Sequence, residues 1–318
     1  MRYTKLKDKE IPAIAFGTWS WGTGFMGGNR IFGNDLQKDD LLPVFNRALQ
    51  HGFTLWDTAP IYGLGASESI LGEFIMHESD IVVSTKFTPI GYQLKSKLRK
   101  TLDKSLIRLG VSSADIYWVH NPKDVVKWTK ELIPLMKRGL IKHAGVSNHN
   151  LEEIKVAARI LEKEGLQLSA VQNHYSLLYR ASEETGIIDW CHRNNVVFFS
   201  YMTLEQGALT GRNNANNPFK KNTRRGKAFN IDVLKKLEGL IKTMTEIGDS
   251  YGVEPAQIAM AWAVTKGTVP IIGITKVSHV DGALASLDVN LKQTEVIRLE
   301  KAARETGINI KGFWEKSM

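Results

Sequence analysis

Apolar residues along this chain follow two alternating rhythms. Short runs rich in β-branched and aromatic residues stop abruptly on a small or polar residue. They are "AIAFG" before Thr18, "FTLW" before Asp57, "IVVST" before Lys86, "IYWV" before His120, "HAGV" before Ser147, "SAV" before Gln172, "VVFF" before Ser200 and "VPII" before Gly273. Such runs predict eight strands. Stretches of helical period lie between them, with start and stop signals. In "YQLKSKLRKTLDKSLIRLG", Leu94, Leu98, Leu102 and Leu106 recur every fourth position on one face, and Gly110 ends the helix. "NLEEIKVAARILEKEG" opens on Asn150 as an N-cap, with Glu153 three residues later, and stops at Gly165. In "VEPAQIAMAWAVTKG", Pro255 stands where a first turn tolerates it and Gly267 follows the end. Two more short runs, "YTKL" and "IPAI" around the charged "KDKE", predict an N-terminal hairpin.

Strand and helix in alternation predict a parallel sheet with helical crossovers. From Asp57 to Ser200 the strand ends fall 25 to 34 residues apart, and Gly273 lies 73 residues beyond Ser200. That last interval has room for a long loop and two helices. Eight such units fit an α/β (β/α)8 TIM barrel with an N-terminal β-hairpin, a long loop after strand 7 and extra C-terminal helices. A doubly wound sheet is the alternative; it would more often show a break between halves, and none is visible. No linker or low-complexity segment interrupts the 318 residues, so 1–318 reads as one barrel domain, with "GRNNANNPFKKNTRRGK" as a surface loop.

Composition narrows the class. A single cysteine, Cys191, excludes an internal disulfide and fits a reducing compartment. The opening "MRYTKLKDKE" lacks the apolar core of a signal peptide, and no apolar run approaches membrane-spanning length. The expectation is a soluble, cytoplasmic protein without a membrane partner. The net charge of +9 is spread, with clusters at Lys95–Lys104 and Lys220–Lys227. Neither is interleaved with aromatics, so nucleic acid is not expected, whereas a cofactor phosphate suits the second cluster. Eight histidines lack ligand spacing, so no metal is expected. Gly22, Gly24 and Gly27 satisfy G-x-G-x-x-G literally, but breakers follow instead of a helix, and the segment reads as a loop near the site.

In a closed parallel barrel all strands end on one face. Asp57, Lys86 and His120 follow three successive strands and become neighbours there, and Tyr62, in the loop after the second strand, can lean over them. The blocks "FGTW", "WDTAPIYG", "VSTKF", "YWVHNP", "GVSN", "VQNHYSLL" and "YMTLEQGALTG" resemble the aldo-keto reductase family over nearly the whole chain. The first four carry that family's catalytic set in order. The resemblance implies hydride transfer between NADP(H) and a small carbonyl or alcohol: an aldehyde, a ketone or a sugar-like substrate. Tyr62 would give the proton and Lys86 would bring its pKa toward the working range. Asp57 would keep Lys86 charged, and His120 would hydrogen-bond the carbonyl oxygen.

The same resemblance implies a nicotinamide dinucleotide in an extended pose across the barrel mouth. Ser147, Asn148 and Gln172 would hold the carboxamide, Tyr201 would stack on the nicotinamide, and Gly17 and Thr18 would line the site. Leu204, Gln206 and Gly207 would approach the diphosphate, and Gly273, Lys276 and His279 the adenosine end. A 2′-phosphate facing Lys276 favours NADP over NAD. The chain departs from the family's pattern at Gly282 and Ala283, where a carboxylate or amide and then an asparagine are common. It departs again at His279 and in "YMTL". Trp19, Trp21, Phe25, Phe87 and Asn121 are the candidate substrate-pocket residues. Two other readings compete. One is a dinucleotide-binding regulatory or accessory subunit, since relatives of this fold serve as channel partners; the other is a lyase using Lys86 as a Schiff-base amine. The intact catalytic set weighs against the first, and the nicotinamide-pocket residues against the second. Substrate, direction in the cell and oligomeric state are not legible.

Overall fold

The computed structural model describes residues 1–308 and 310; the rest of the expected 1–318 domain lies outside the described residues. Two strands, β1 (Tyr3–Leu6) and β2 (Lys9–Pro12), form an antiparallel hairpin. The barrel strands are β3 (Ala15–Gly17), β4 (Leu55–Asp57), β5 (Val82–Phe87), β6 (Ala114–Val119), β7 (Ile141–Ser147), β8 (Leu168–His174), β9 (Val197–Tyr201) and β10 (Val269–Gly273). They close in the order β10-β3-β4-β5-β6-β7-β8-β9, and every neighbouring pair is parallel. Closure rules out the doubly wound alternative. The register sets Asp57 beside Gly17 and Ser84, Phe87 beside Val119, and Ser147 beside Gln172. Those ends form one rim.

β5, β6 and β8 are buried along their whole lengths, because a parallel strand is covered by the barrel interior on one face and by helices on the other. The helices start where their caps say. Asn150 accepts from the Glu153 backbone N–H (2.9 Å), and the Glu153 carboxylate accepts from the Asn150 N–H (2.8 Å), opening the helix Leu151–Glu162. The helix Ser96–Leu109 ends on Gly110 in the left-handed region (φ 67). Its buried stripe is Leu98, Leu102 and Leu106. Leu94 precedes the helix and is exposed, one step short of the predicted face.

The hairpin turns through Lys7 at φ 55 and inserts Leu6 and Ile11, both fully buried, among Ala15, Leu55, Val82, Ile116 and Val269. Those five lie at or near the starts of barrel strands, so the hairpin plugs the floor. Lys7 Nζ donates to the Asn195 backbone O (3.0 Å), just before β9, and fastens the plug. The mouth is therefore the opposite end, where the strands finish. The long insertion after β9 contains a tight turn (Glu205–Thr210), a loop and the helices Arg224–Ala228, Ile231–Tyr251 and Pro255–Thr265. After β10 come the helices Val277–Asp288 and Gln293–Glu305. Among the described residues, no helix is long and apolar enough to cross a membrane.

Candidate active site

Asp57 closes β4, Lys86 is the next-to-last residue of β5 and His120 follows β6. The Lys86 ammonium is fully buried, ion-paired with Asp57 Oδ2, and donates to the Thr58 backbone O (3.0 Å). The other Asp57 oxygen accepts from Ser84 Oγ (2.5 Å) and from Gln172 Nε2 (3.2 Å). Tyr62 opens a single turn that Gly63 and Leu64 allow by adopting φ of 60 and 55. That turn lays its ring so that Lys86 Nζ is 5.1 Å from the centroid.

Burial and partners set the charges. Burial works against the Lys86 ammonium, but Asp57 and Tyr62 outweigh it and hold its pKa above the usual value. For Tyr62 burial is the largest influence and raises the phenol's pKa; Lys86 opposes this and Asp57 adds to it. The expected net lowering by Lys86 is thus reversed in the free protein, because Asp57 offsets the ammonium's field and desolvation disfavours a phenolate. Burial first and Lys86 second bring His120 down to about 3, which leaves a neutral imidazole. Thr88 Oγ1 lies 2.9 Å from His120 Nδ1; with Thr88 as donor, the ring proton is on Nε2.

A cavity of about 980 Å³ opens over these groups. Its wall includes Asp57, Tyr62 and His120, and the expected cofactor residues Gly17, Asn148, Gln172, Tyr201, Leu204, Gln206, Gly207, Gly273, Lys276 and His279. Lys86, Thr18 and Ser147 are fully buried behind the lining. Thr18 donates through both N–H and Oγ1 to the Asp57 backbone O (2.9 and 3.3 Å). Asn148, at φ 63, donates from Nδ2 to the His120 backbone O (2.9 Å) and accepts from the Tyr201 hydroxyl (2.6 Å), which ties β6, β7 and β9 together at the rim.

At the other end the wall is basic: Arg212, Lys220, Arg224, Arg225 and Lys276 line it. Arg225 belongs to the basic cluster Lys220–Lys227, which the sequence suggests for a cofactor phosphate. It donates to the Phe32 backbone O (2.9 Å), reaches the Gln206 backbone O (3.5 Å) and lies 5.3 Å over the Phe219 ring. Its Nε is buried without a partner, as is Gln206 Oε1, and burial lowers the guanidinium's pKa. A half-buried guanidinium with no carboxylate partner among the described residues fits the phosphates of a dinucleotide. Gly282 makes room for a neighbour: a Cβ there would lie 2.5 Å from Gln257 Nε2. His279 turns inward and accepts from the Thr275 N–H (3.2 Å).

Of the five expected substrate residues only Trp19 lines the cavity. Its ring is stacked on Tyr62 (5.6 Å, 22°), with Phe32 edge-on (5.3 Å). Trp21 is a core residue that donates to the Ile274 backbone O (2.8 Å). Phe87 packs on Trp128 (4.6 Å), because strand alternation that turns Lys86 inward must turn Phe87 toward the helices. Phe25 is an exposed loop residue. Asn121 shapes its own turn, donating to the Pro89 backbone O (2.9 Å) and accepting from the Lys123 N–H (3.2 Å). Met26, Phe32, Asn34, Ile61 and Thr88 take the vacant places in the wall. Among the described residues, no group of three metal-ligating side chains comes together.

The model of the Aldo/keto reductase family matches residues 13–304. The chloroplastic pyridoxal reductase of Arabidopsis thaliana is 31% identical over 323 residues, covering 95% of this chain and 86% of that one. An aldo-keto reductase of Schizosaccharomyces pombe, named for NADP(+), is 28% identical over 94% of this chain and 90% of its own. The structure of the glycerol dehydrogenase of Gluconobacter oxydans superposes with a TM-score of 0.83 at 25% identity and covers 96% of both chains. A family match that begins two residues before β3 and runs into the last turn of the final described helix takes in the entire barrel, and the chain belongs to the aldo-keto reductases.

Proposed function

We propose that the chain reduces a small carbonyl compound with NADPH, with Tyr62 as proton donor. The observation that carries this reading is the meeting of Asp57, Lys86, Tyr62 and His120 at a cavity whose lining also carries Arg212, Arg225 and Lys276. The S. pombe relative's name supports NADP(+) as the cofactor. NADPH bound along the cavity supplies the hydride for the carbonyl carbon. Tyr201 is the flat face for the nicotinamide, Asn148 holds that ring in place through its hydroxyl, and Arg225 with Lys276 meets the phosphates.

Each catalytic group then has one task. Neutral His120 donates from Nε2 to the carbonyl oxygen, orients it and stabilises charge as it grows there. Tyr62 is held protonated by burial, so it has a proton to give when the oxygen becomes basic. Lys86 stabilises the phenolate left behind. Asp57 keeps Lys86 charged, and Ser84 and Gln172 keep Asp57 aimed at it.

The stacked Trp19 and Tyr62, with Phe32 across the edge, favour a flat ring beside the reacting carbonyl. A heteroaromatic aldehyde of the pyridoxal kind is therefore the first substrate to try, a choice that the Arabidopsis relative's name supports. Nicotinamide absorbance followed with pyridoxal, other aldehydes and ketones, using NADPH and NADH, tests both parts. Tyr62→Phe should lower turnover by about 10²–10⁴-fold and keep NADPH binding within about twofold. Wild-type turnover in that variant overturns the donor role. Tight NADPH binding without turnover of any carbonyl would favour an accessory subunit.

A further inference from the structure

A polar cluster with no part in the scheme above spans the cavity wall, with His174 in the lining and Glu205 behind it. Glu205 is fully buried, and so, within a per cent, is His174 at the end of β8. His174 Nε2 meets Glu205 Oε1 at 2.7 Å, and Ser176 Oγ also bonds that oxygen. Proton directions follow from the partners. The N–H groups of Leu178 and Tyr179 both donate to Ser176 Oγ (3.1 Å each), so the hydroxyl proton is turned to Glu205. With its proton on Nε2, His174 donates to the same Glu205 oxygen. The second Glu205 oxygen is buried without a hydrogen-bond partner. A carboxylate held in this way costs stability, and the geometry it imposes is its return.

That geometry acts on two things. His174 is the middle ring of a stack, 4.4 Å from Tyr179 (21°) and 5.6 Å from Tyr201 (23°). Tyr201 is the stack's outer member, and both it and His174 line the cavity. Glu205 itself lies in a segment with four left-handed residues: Met202 (φ 60), Glu205 (φ 47), Gln206 (φ 55) and Gly207 (φ 100). Three of these are not glycine, and each such residue costs on the order of 1 kcal/mol. An anchor is needed to hold the segment so, and Glu205 ties it to the end of β8, a strand buried along its whole length.

We propose that the His174–Glu205 pair is a positioning latch, which backs the Tyr201 ring and fixes segment 202–207 for the nicotinamide half of the cofactor. Neither residue is among the four groups proposed to act on the carbonyl. The proposal rests on the reading of Tyr201 as the nicotinamide platform and adds what holds that platform still. Loss of the latch lets Tyr201 tilt and the strained segment relax, whereas the adenosine end is held chiefly by other elements: Arg225 is bound more closely to the Phe32 backbone O (2.9 Å) than to Gln206 O in the segment (3.5 Å), and Lys276 follows β10.

Two probes separate the halves: NADPH, and 2′,5′-ADP, which carries only the adenosine end. Glu205→Ala should raise the Kd for NADPH about tenfold, the worth of one aromatic stack, and leave that for 2′,5′-ADP within about twofold. Glu205→Gln keeps an acceptor for His174 and Ser176 and should restore most of the NADPH affinity. His174→Gln keeps a donor for Glu205 but removes the ring behind Tyr201, and should weaken NADPH about threefold; it carries the test if Glu205→Ala does not fold. Equal weakening of both probes means general loosening and overturns the latch, as do variants that bind NADPH like the wild type. A wild type that binds no NADPH overturns the functional reading and the latch with it.

Discussion

The two ends of the cavity solve opposite problems with the same charged residue types. At the end proposed for the carbonyl, charge is buried and paired inside the protein: Lys86 on Asp57, Asp57 on Ser84 and Gln172. At the end proposed for the phosphates the cations are exposed or half-buried, and Arg225 has only backbone carbonyls and a phenyl ring for company. The first end is complete before anything binds; in the proposed function the second is completed by an anion. Losses at the first should therefore reach both stability and chemistry, and losses at the second should reach affinity alone.

The sharpest way to break that contrast is Lys86→Met. It leaves Asp57 buried without its cation, so activity should fall by about 10³-fold or more and unfolding stability by about 3–5 kcal/mol. Turnover and denaturant titration together check this. A variant as stable as the wild type would show that the carbonyl end does not depend on its pairing. Arg225→Gln comes next: the Kd for NADPH should rise about tenfold, as for one charge-assisted hydrogen bond. The melting temperature without cofactor should not drop, because a half-buried guanidinium without an anion has been removed. A clear drop would mean that Arg225 is structural.

Lys276→Ala should be milder, because that side chain is exposed. A roughly threefold loss for NADPH, none for NADH, and disappearance of the difference in high salt are expected. Equal losses for the two cofactors would separate Lys276 from the 2′-phosphate. The smallest effect concerns pH. An unfolded His120 takes up its proton near 6.5, whereas the folded imidazole resists until about 3. Between those values the unfolded chain binds more protons, so His120 makes stability rise with pH through that window and fall as the solution is acidified. Unfolding midpoints at pH 4 and 7 should differ less in His120→Asn than in the wild type. His149, brought down to about 4 by burial, still contributes in both. An unchanged difference would argue against a neutral, buried His120.

The barrel and the four strand-end residues were legible because each strand stops where the residue type changes, and barrel closure does the rest. Alternation along β5 carries more than the strand end alone. Lys86 facing inward sends Phe87 outward and sets Ser84 on the same side as Lys86, beside Asp57. Trp21 and Asn121 lie in turns whose paths depend on distant carbonyls, at Ile274 and Pro89, and no local pattern reports those. Arg225 is legible only as part of the basic cluster Lys220–Lys227, because spacing in a long insertion fixes no single residue. The direction of the Tyr62 shift was out of reach for another reason: it is a balance between burial, Lys86 and Asp57, and composition cannot weigh them. Gln172 is a polar end to an apolar run, and its bond to Asp57 is one reason for it.

The plugged floor also governs how the molecule can be handled. Because Leu6 and Ile11 stopper the barrel at the strand starts, Met1 emerges at the end away from the mouth. A bead, electrode or fused enzyme attached there hangs from the blind side and leaves the traffic of reactants unobstructed. Trimming the first dozen residues to shorten such a tether would instead uncork the apolar bore.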